Sequence, residues 1–298
     1  MRTLVAPLIL ALVGLAVACG GGGSTPAERI AAERIAFVSS RGGDDEIWVM
    51  DADGSNAHRL THMAPLRSGP VWSPDGREIA FLAAVGRNEN ADIYIMNADG
   101  SNVRQFTDTP EDESSLVLSP DGQRMAFTFN GAIFLMNRDG SDRHPILVVG
   151  WPSSWSPDGT QIAFTRGTFG HYTSSETWIV GVDGTDRRRL VEEMGVANSP
   201  VWSPDGSKIA FECAREALIT MPDVPQDPGA IGICVVSPDG SGLVRLVDDA
   251  GQPAWSPDGQ RIAFERGRRI YVMRADGSDV QRITDCDCQD SSPAWSPR

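Results

Sequence analysis

The sequence predicts an all-β protein, a six-bladed β-propeller with four-stranded antiparallel blades. Three observations carry that expectation. Trp72-Ser73-Pro74-Asp75-Gly76 recurs at Trp155, Trp202 and Trp255, as Leu118-Ser119-Pro120-Asp121-Gly122, and in part as Trp295-Ser296-Pro297. An apolar triplet follows each complete copy and also stands at Ile35-Ala36-Phe37 near the start. Asp-Gly turns recur at Gly54, Gly100, Gly140, Gly184, Gly240 and Gly277, so the chain repeats every ~45 residues.

In chain order, a short basic start (Met1 to Thr3) precedes the apolar run Leu4 to Val17. That run is shorter than the ~20 residues a spanning helix needs and reads as a secretory signal. Leu15-Ala16-Val17-Ala18-Cys19 resembles a bacterial lipobox, with Ala16 where leucine is usual; the resemblance implies cleavage before Cys19 and lipidation of its thiol. Residues 1–18 are thus expected to be a lipoprotein signal peptide. Residues 19–33 are expected to be the lipidated cysteine and a flexible tether, glycine-rich from Gly20 to Ser24. The propeller is expected over 34–298.

Each repeat then reads as four strands. The Ser-Pro motif ends a first strand, and Ile79-Ala80-Phe81 and its equivalents form a second. Ile93-Tyr94-Ile95-Met96 and its equivalents form a third, and a last strand centres on Leu60, Phe106, Ile146, Leu190, Leu246 and Ile283. Short apolar runs bounded by Gly, Pro and Asp are strands buried on both faces. In Ser-Pro-Asp-Gly, proline presets φ at the first corner and glycine supplies the left-handed exit. A sheet apolar on both faces cannot bury itself alone, whereas several packed radially can. The tryptophan before each turn is expected to wedge between neighbouring blades. The chain enters at a second strand (Arg34 to Ser39) and ends on a first strand (Pro293 to Trp295), so one blade is expected to join both ends and close the ring. Arg59, Arg104, Arg143, Arg188, Arg245 and Arg282 are expected on exposed outer edges, where charge discourages edge pairing.

The stretch from Trp72 to Thr107 resembles the WD-like propeller repeat of the TolB family, and the resemblance extends over residues 34–298 in six copies. It implies the fold firmly and the function weakly, since this repeat serves many proteins. Residues 20–33 are too few for the α/β domain that precedes the propeller in TolB, and no hydrolase domain follows as in the related serine peptidases. A stand-alone propeller is the expectation.

The chain carries a net charge of −14, with Lys208 its only lysine, which disfavours nucleic acid and anionic membrane surfaces. The short innermost strands, such as Pro70 to Trp72 and Pro253 to Trp255, hold no Asp, Glu, His or Lys, and His58, His62, His144 and His171 are scattered. No nucleophile elbow, phosphate loop or paired-histidine motif is present. The expected protein is not an enzyme. Asp51-Ala52-Asp53-Gly54-Ser55-Asn56 looks like half a calcium loop, but a hairpin turn explains all six copies. No cofactor or metal is expected. Cys286 and Cys288 lack the partners of a zinc set. In an exported chain a bridge between Cys213 and Cys234 is the more natural reading, and Cys286 and Cys288 can bridge each other or a long loop.

Strand alternation places the Ser-Pro-Asp-Gly and Asp-Gly-Ser turns on one face and the variable loops, including 166–176 and 214–230, on the other. The connectors on that second face are acidic: Asp108, Glu111, Asp112, Glu113, Glu192, Glu193, Asp248, Asp249, Asp285, Asp287 and Asp290. Variable loops on a rigid scaffold commonly carry binding. The expectation is therefore a non-catalytic protein-binding module of the bacterial cell envelope, monomeric, in the periplasm or on the cell surface. It would meet the membrane only through lipidated Cys19 and would recognise a protein or peptide with a basic segment across those acids. The alternative is a propeller enzyme, a lyase or hydrolase, with its site on the variable-loop face.

Overall fold

A computed structural model of the chain describes residues 33–63, 65–85, 90–167, 175–192, 194–214 and 231–297. The expected signal peptide, Cys19, nearly all of the tether, Glu193, His171 and most of the two long loops lie outside them. The described residues form twenty-four strands and no helix. In chain order these are β1 (Arg34–Ser39), β2 (Glu46–Asp51) and β3 (His58–Arg59); β4 (Val71–Trp72), β5 (Glu78–Ala83), β6 (Asp92–Asn97) and β7 (Arg104–Gln105); β8 (Glu113–Leu118), β9 (Arg124–Phe129), β10 (Ala132–Asn137) and β11 (His144–Val149). There follow β12 (Trp151–Trp155), β13 (Gln161–Gly167), β14 (Ser175–Gly181) and β15 (Arg188–Arg189); β16 (Val196–Trp202), β17 (Ile209–Ala214), β18 (Gly232–Val236) and β19 (Val244–Asp248); β20 (Gly251–Trp255), β21 (Arg261–Arg266), β22 (Arg269–Arg274) and β23 (Gln281–Arg282); and finally β24 (Asp290–Trp295).

The architecture is that of an all-β propeller. Six separate four-stranded sheets were expected; the hydrogen bonding instead forms four such sheets and one of eight strands. The four are β24-β1-β2-β3, β4 to β7, β8 to β11 and β20 to β23. The eight-stranded sheet merges β12 to β15 with β16 to β19 through a single parallel pairing, Ser175 with Val196. The cause is local: β16 begins early, at Val196, and Ala197 N donates to Ser175 Oγ at 3.3 Å.

The repeated sequence positions become repeated packing positions. The phenylalanines of the six apolar triplets (Phe37, Phe81, Phe127, Phe164, Phe211 and Phe264) are all essentially inaccessible. Among the described residues the buried apolar side chains fall into six clusters, each drawn from two successive repeats. One joins Val49 and Leu60 to Trp72 and Phe81; another joins Ala263 and Ile270 to Phe37 and Trp295. The core therefore lies between sheets, because each sheet is apolar on both faces. The tryptophans cross these seams as expected: Trp72 Nε1 donates to Ala294 O at 3.2 Å, Trp255 Nε1 to Val201 O at 3.1 Å, and Trp295 Nε1 to Ala254 O at 3.1 Å.

The turn chemistry is equally regular. Ser73 Oγ donates to Asp75 Oδ1 at 2.6 Å and accepts from Glu78 N at 2.9 Å, while Gly76 takes φ +68°. Ser119, Ser156, Ser203 and Ser256 repeat these bonds. At the opposite hairpin Asp53 accepts from both the backbone N and the hydroxyl of Ser55, which holds its carboxyl below the usual carboxylate range. Gly100 illustrates why glycine stands in these turns: its φ is +82°, and a Cβ there would come within 2.7 Å of Leu60 O in the preceding repeat.

The outer-edge expectation holds only in part: Arg104 and Arg282 are exposed, whereas Arg59, Arg143, Arg188 and Arg245 are half-buried. Arg143 does not sit on an exposed edge; its guanidinium lies 4.1 Å from the Phe129 ring centroid and 3.5 Å from Glu113 Oε1. A cation over aromatic faces beside a buried carboxylate is held inward by both.

Candidate functional site

The connectors between one repeat's last strand and the next repeat's first strand gather at one end of the sheets, together with the loops between second and third strands. Of the eleven acids expected there, Asp108, Glu111, Asp112, Glu192, Asp248, Asp249, Asp285 and Asp287 are exposed, and Glu193 lies outside the described residues. Three of the exposed acids are partnered by an arginine three residues earlier: Glu192 with Arg189, Asp248 with Arg245 and Asp285 with Arg282. Asp112 Oδ1 accepts from Ala91 N at 2.8 Å and so also shapes its loop.

Glu113 and Asp290 do not belong to that surface. Both are buried, because the first strands extend further back than the short Pro-to-Trp segments suggest: Glu113 opens β8 and Asp290 opens β24. This also corrects the expectation that the innermost strands lack carboxylates. Glu113 accepts from Thr107 Oγ1 and from Ile93 N. Burial raises its pKa, against the lowering effects of Thr107 and Arg143. Asp290, with its side chain wholly buried, is paired with Arg41 at 3.1 Å. These two carboxylates staple strands together.

A second acidic feature lies deeper, and sequence reasoning missed it. Glu212 on β17 and Glu265 on β21 occupy equivalent positions, one residue after Phe211 and Phe264; the other repeats place Val38, Leu82, Thr128 and Thr165 there. Aligning the residue after each apolar triplet would have exposed the pair. Glu212 reaches across to the start of β20, where its Oε1 accepts from Gln252 N at 2.8 Å. It lies over Gly251, where a Cβ would come within 2.9 Å of Oε1, and Gly251 is the register partner of Glu265. Ser292 N, which holds in its own repeat the place that Gln252 N holds beside Glu212, donates instead to Gln252 Oε1 at 2.5 Å. Glu265 is left without a hydrogen-bond donor among the described residues. Burial raises the pKa of both groups, and the negative charge of Glu212 raises Glu265 further, against Arg268. Such a pair favours holding a proton.

The four cysteines among the described residues are paired with near neighbours in the chain. Cys213 and Cys234 are bonded across β17 and β18, with Cα atoms 5.8 Å apart and both side chains buried. Cys286 and Cys288 are bonded to each other just before β24.

Comparison with known proteins fits this architecture. The family described as the TolB beta propeller domain (PD40) matches residues 16–147. A protein TolB homolog of Chlorobium luteolum is 31% identical over 272 residues, which cover 88% of this chain and 59% of that protein. This chain is a TolB-like β-propeller. It spans about three-fifths of that relative's length. The crystal structure of TolB from Acinetobacter baumannii superposes with a TM-score of 0.74 at 21% identity, covering 90% of this chain and 68% of that one. An oligogalacturonate lyase in complex with manganese matches less closely, with a TM-score of 0.54 at 14% identity over 85% of this chain and 74% of that one. At these identities the structural likenesses speak for the fold. The TolB-like propeller of this chain thus has two acidic features, an exposed connector rim and a half-buried glutamate pair.

Proposed function

We propose that this TolB-like protein is an exported, lipid-anchored propeller that binds a protein or peptide in the bacterial cell envelope without catalysing a reaction. Residues 1–18 would be removed, Cys19 would carry the lipid, residues 19–33 would be the tether, and 34–298 the propeller. The observation that carries the reading is the likeness to a TolB homolog along 88% of the chain. Other relatives, matched over 46 residues, are named Tol-Pal system protein TolB.

Six blades are the natural count for this ring. The eight-stranded sheet divides into two blades, since a single bridge, Ser175 with Val196, is the strand pairing between them. β24 supplies the first strand of the blade that contains β1 to β3, and a core cluster seals this blade to β20 to β23. On such a rigid body the exposed acids Asp108, Glu111, Asp112, Asp249 and Asp287, which form no ion pair among the described residues, are free to meet a cationic partner. Their joint field would speed encounter with a basic segment.

The second reading is a propeller enzyme, a lyase or hydrolase, and Glu212 with Glu265 is the observation that favours it. Paired carboxyls with displaced pKa values suit general acid–base work. The two readings separate in one experiment. Purified lipoprotein is crosslinked in envelope extract and its captured proteins identified, while a panel of polysaccharide and ester substrates is assayed with wild type and Glu265→Gln. A specific captured protein and no turnover supports binding. Turnover that Glu265→Gln abolishes would overturn it.

A further inference from the structure

The turn between β23 and β24 collects three soft and hard donor atoms at one point. Cys286 Sγ lies 3.4 Å from Asp290 Oδ2, and Cys288 Sγ lies 3.5 Å from Asp290 Oδ1. All three groups fall within 4.8 Å of one another. The Asp290 side chain is wholly buried, and Arg41 Nη2 donates to its Oδ2 at 3.1 Å. Its Oδ1 faces the Cys288 sulfur and has no nitrogen or hydroxyl donor among the described residues.

The bond between the two cysteines sharpens this. A disulfide sulfur has no hydrogen to donate, whereas a thiol has one. With the Cys286–Cys288 bond closed, Asp290 Oδ1 is therefore a buried carboxylate oxygen aimed at a sulfur that cannot satisfy it, a costly arrangement. The bond also closes a very short loop, across Asp287 alone, where the chain-entropy account gives a disulfide little stabilising effect. Both cysteines are only half-buried, which leaves the bond open to a reductant. Cys213 and Cys234, 0% and 2% exposed, are shielded by contrast.

We propose that Cys286, Cys288 and Asp290 form a binding site for a thiophilic divalent ion of the zinc class, opened when the Cys286–Cys288 disulfide is reduced. A thiol reductant supplies two electrons and two protons: the S–S bond breaks, two S–H bonds form, and the reductant becomes a disulfide. Ion binding then releases both thiol protons, leaving two thiolates and one carboxylate oxygen on the metal. That is three protein ligands, with a fourth position left to water, a set zinc accepts. Arg41 stays beside Asp290 and offsets part of the negative charge. The site lies where β24 meets β1: Asp290 pairs with Ser39, and Ser40 N donates to Gln289 O at 3.0 Å. Metal binding would therefore tighten the contact between the chain's last strand and its first.

The test uses the full chain carrying Cys19→Ser, so that no other free thiol competes. Cobalt(II), a spectroscopic stand-in for zinc, is titrated into oxidised and phosphine-reduced protein while near-ultraviolet thiolate-to-cobalt absorption is followed. The expected result is a band in the reduced protein alone, saturating at one ion per chain and displaced by zinc. Cys286→Ser/Cys288→Ser, which keeps the other disulfide, should abolish it. Asp290→Asn should weaken binding about tenfold or more, the scale on which lost support at a metal site is felt. The single variants Cys286→Ser and Cys288→Ser, on a partly exposed turn, carry the test if Asp290→Asn fails to fold. Absence of the band in reduced protein, or its survival in the double cysteine variant, would overturn the proposal.

Discussion

Arg34 N donates to Ser296 Oγ at 3.0 Å, and Ser296 N donates back to Arg34 O at 2.8 Å, across 262 residues of chain. The same two bonds join Glu78 N to Ser73 Oγ and Ser73 N to Glu78 O inside a single hairpin. Ser296 thus does for two distant segments what Ser73 does within a six-residue turn. Around it, Ile35 pairs with Trp295 and Ala36 with Ala294.

If that contact closes the ring, removing it should loosen the whole molecule. Deleting residues 291–298 strips β24 from β1 and removes Trp295 from its cluster. Loss of a buried tryptophan alone costs about 3–5 kcal/mol, a large part of the ~5–15 kcal/mol that holds a domain together. Ser296→Ala should cost about 1 kcal/mol. Thermal melts of both variants check this, and an unchanged midpoint in the deletion argues against closure.

Gly100→Ala should destabilise by roughly 1–3 kcal/mol, combining a left-handed φ with crowding against Leu60 O. Gly43→Ala, also at positive φ but with open space beside it, should cost less. Urea midpoints of the two variants decide whether close approach between repeats, beyond φ alone, demands glycine.

The glutamate pair sets a pH dependence. Burial raises the Glu212 pKa above its ordinary 4.5, so its folded form binds a proton more readily than the unfolded chain. Stability from this group is present at low pH and falls as pH rises through the raised value. Glu212→Gln keeps an acceptor for Gln252 N and removes the charge. It should raise the melting temperature at pH 7.5, with the gain shrinking to nothing near pH 4. It should also bring Glu265 back toward its ordinary range. A melting temperature lowered equally at both pH values would contradict this.

Lipidation at Cys19 is testable directly. Labelled fatty acid should enter wild-type protein in bacterial cells and not Cys19→Ser. Equal labelling of the two forms, or none in either, sinks the assignment.

The exposed connector acids should matter in proportion to salt. Asp108→Asn, Glu111→Gln, Asp249→Asn and Asp287→Asn together should weaken capture of the crosslinked partner and flatten its salt dependence, since screened charges act within ~8–10 Å. Asp44→Asn with Asp45→Asn, exposed on the loop between β1 and β2, serves as a control against a variant that removes two of the connector charges at a time. Equal binding by the combined variant at low and moderate salt would assign these acids to solubility alone.

The repeat, the strand order within it, both turn types and the all-β class are legible in the residues alone. Those features rest on local chemistry: proline and glycine at fixed turn corners, and short apolar runs too hydrophobic for a solvated face. The buried phenylalanines and seam-crossing tryptophans follow from the same period. Where each charge ends up is set by packing between strands and repeats. Glu113 and Asp290 read as connector acids because the first strands looked short; inter-strand pairing draws them inward. Arg143 reads as an edge residue until Phe129 and Glu113 converge on it. Glu212 and Glu265 stand 53 residues apart and meet because successive repeats pack side by side. Asp290 is buried against Arg41 because β24 starts at that residue and pairs with β1. Burial and charge pairing depend on neighbours distant in sequence, and no local pattern records them.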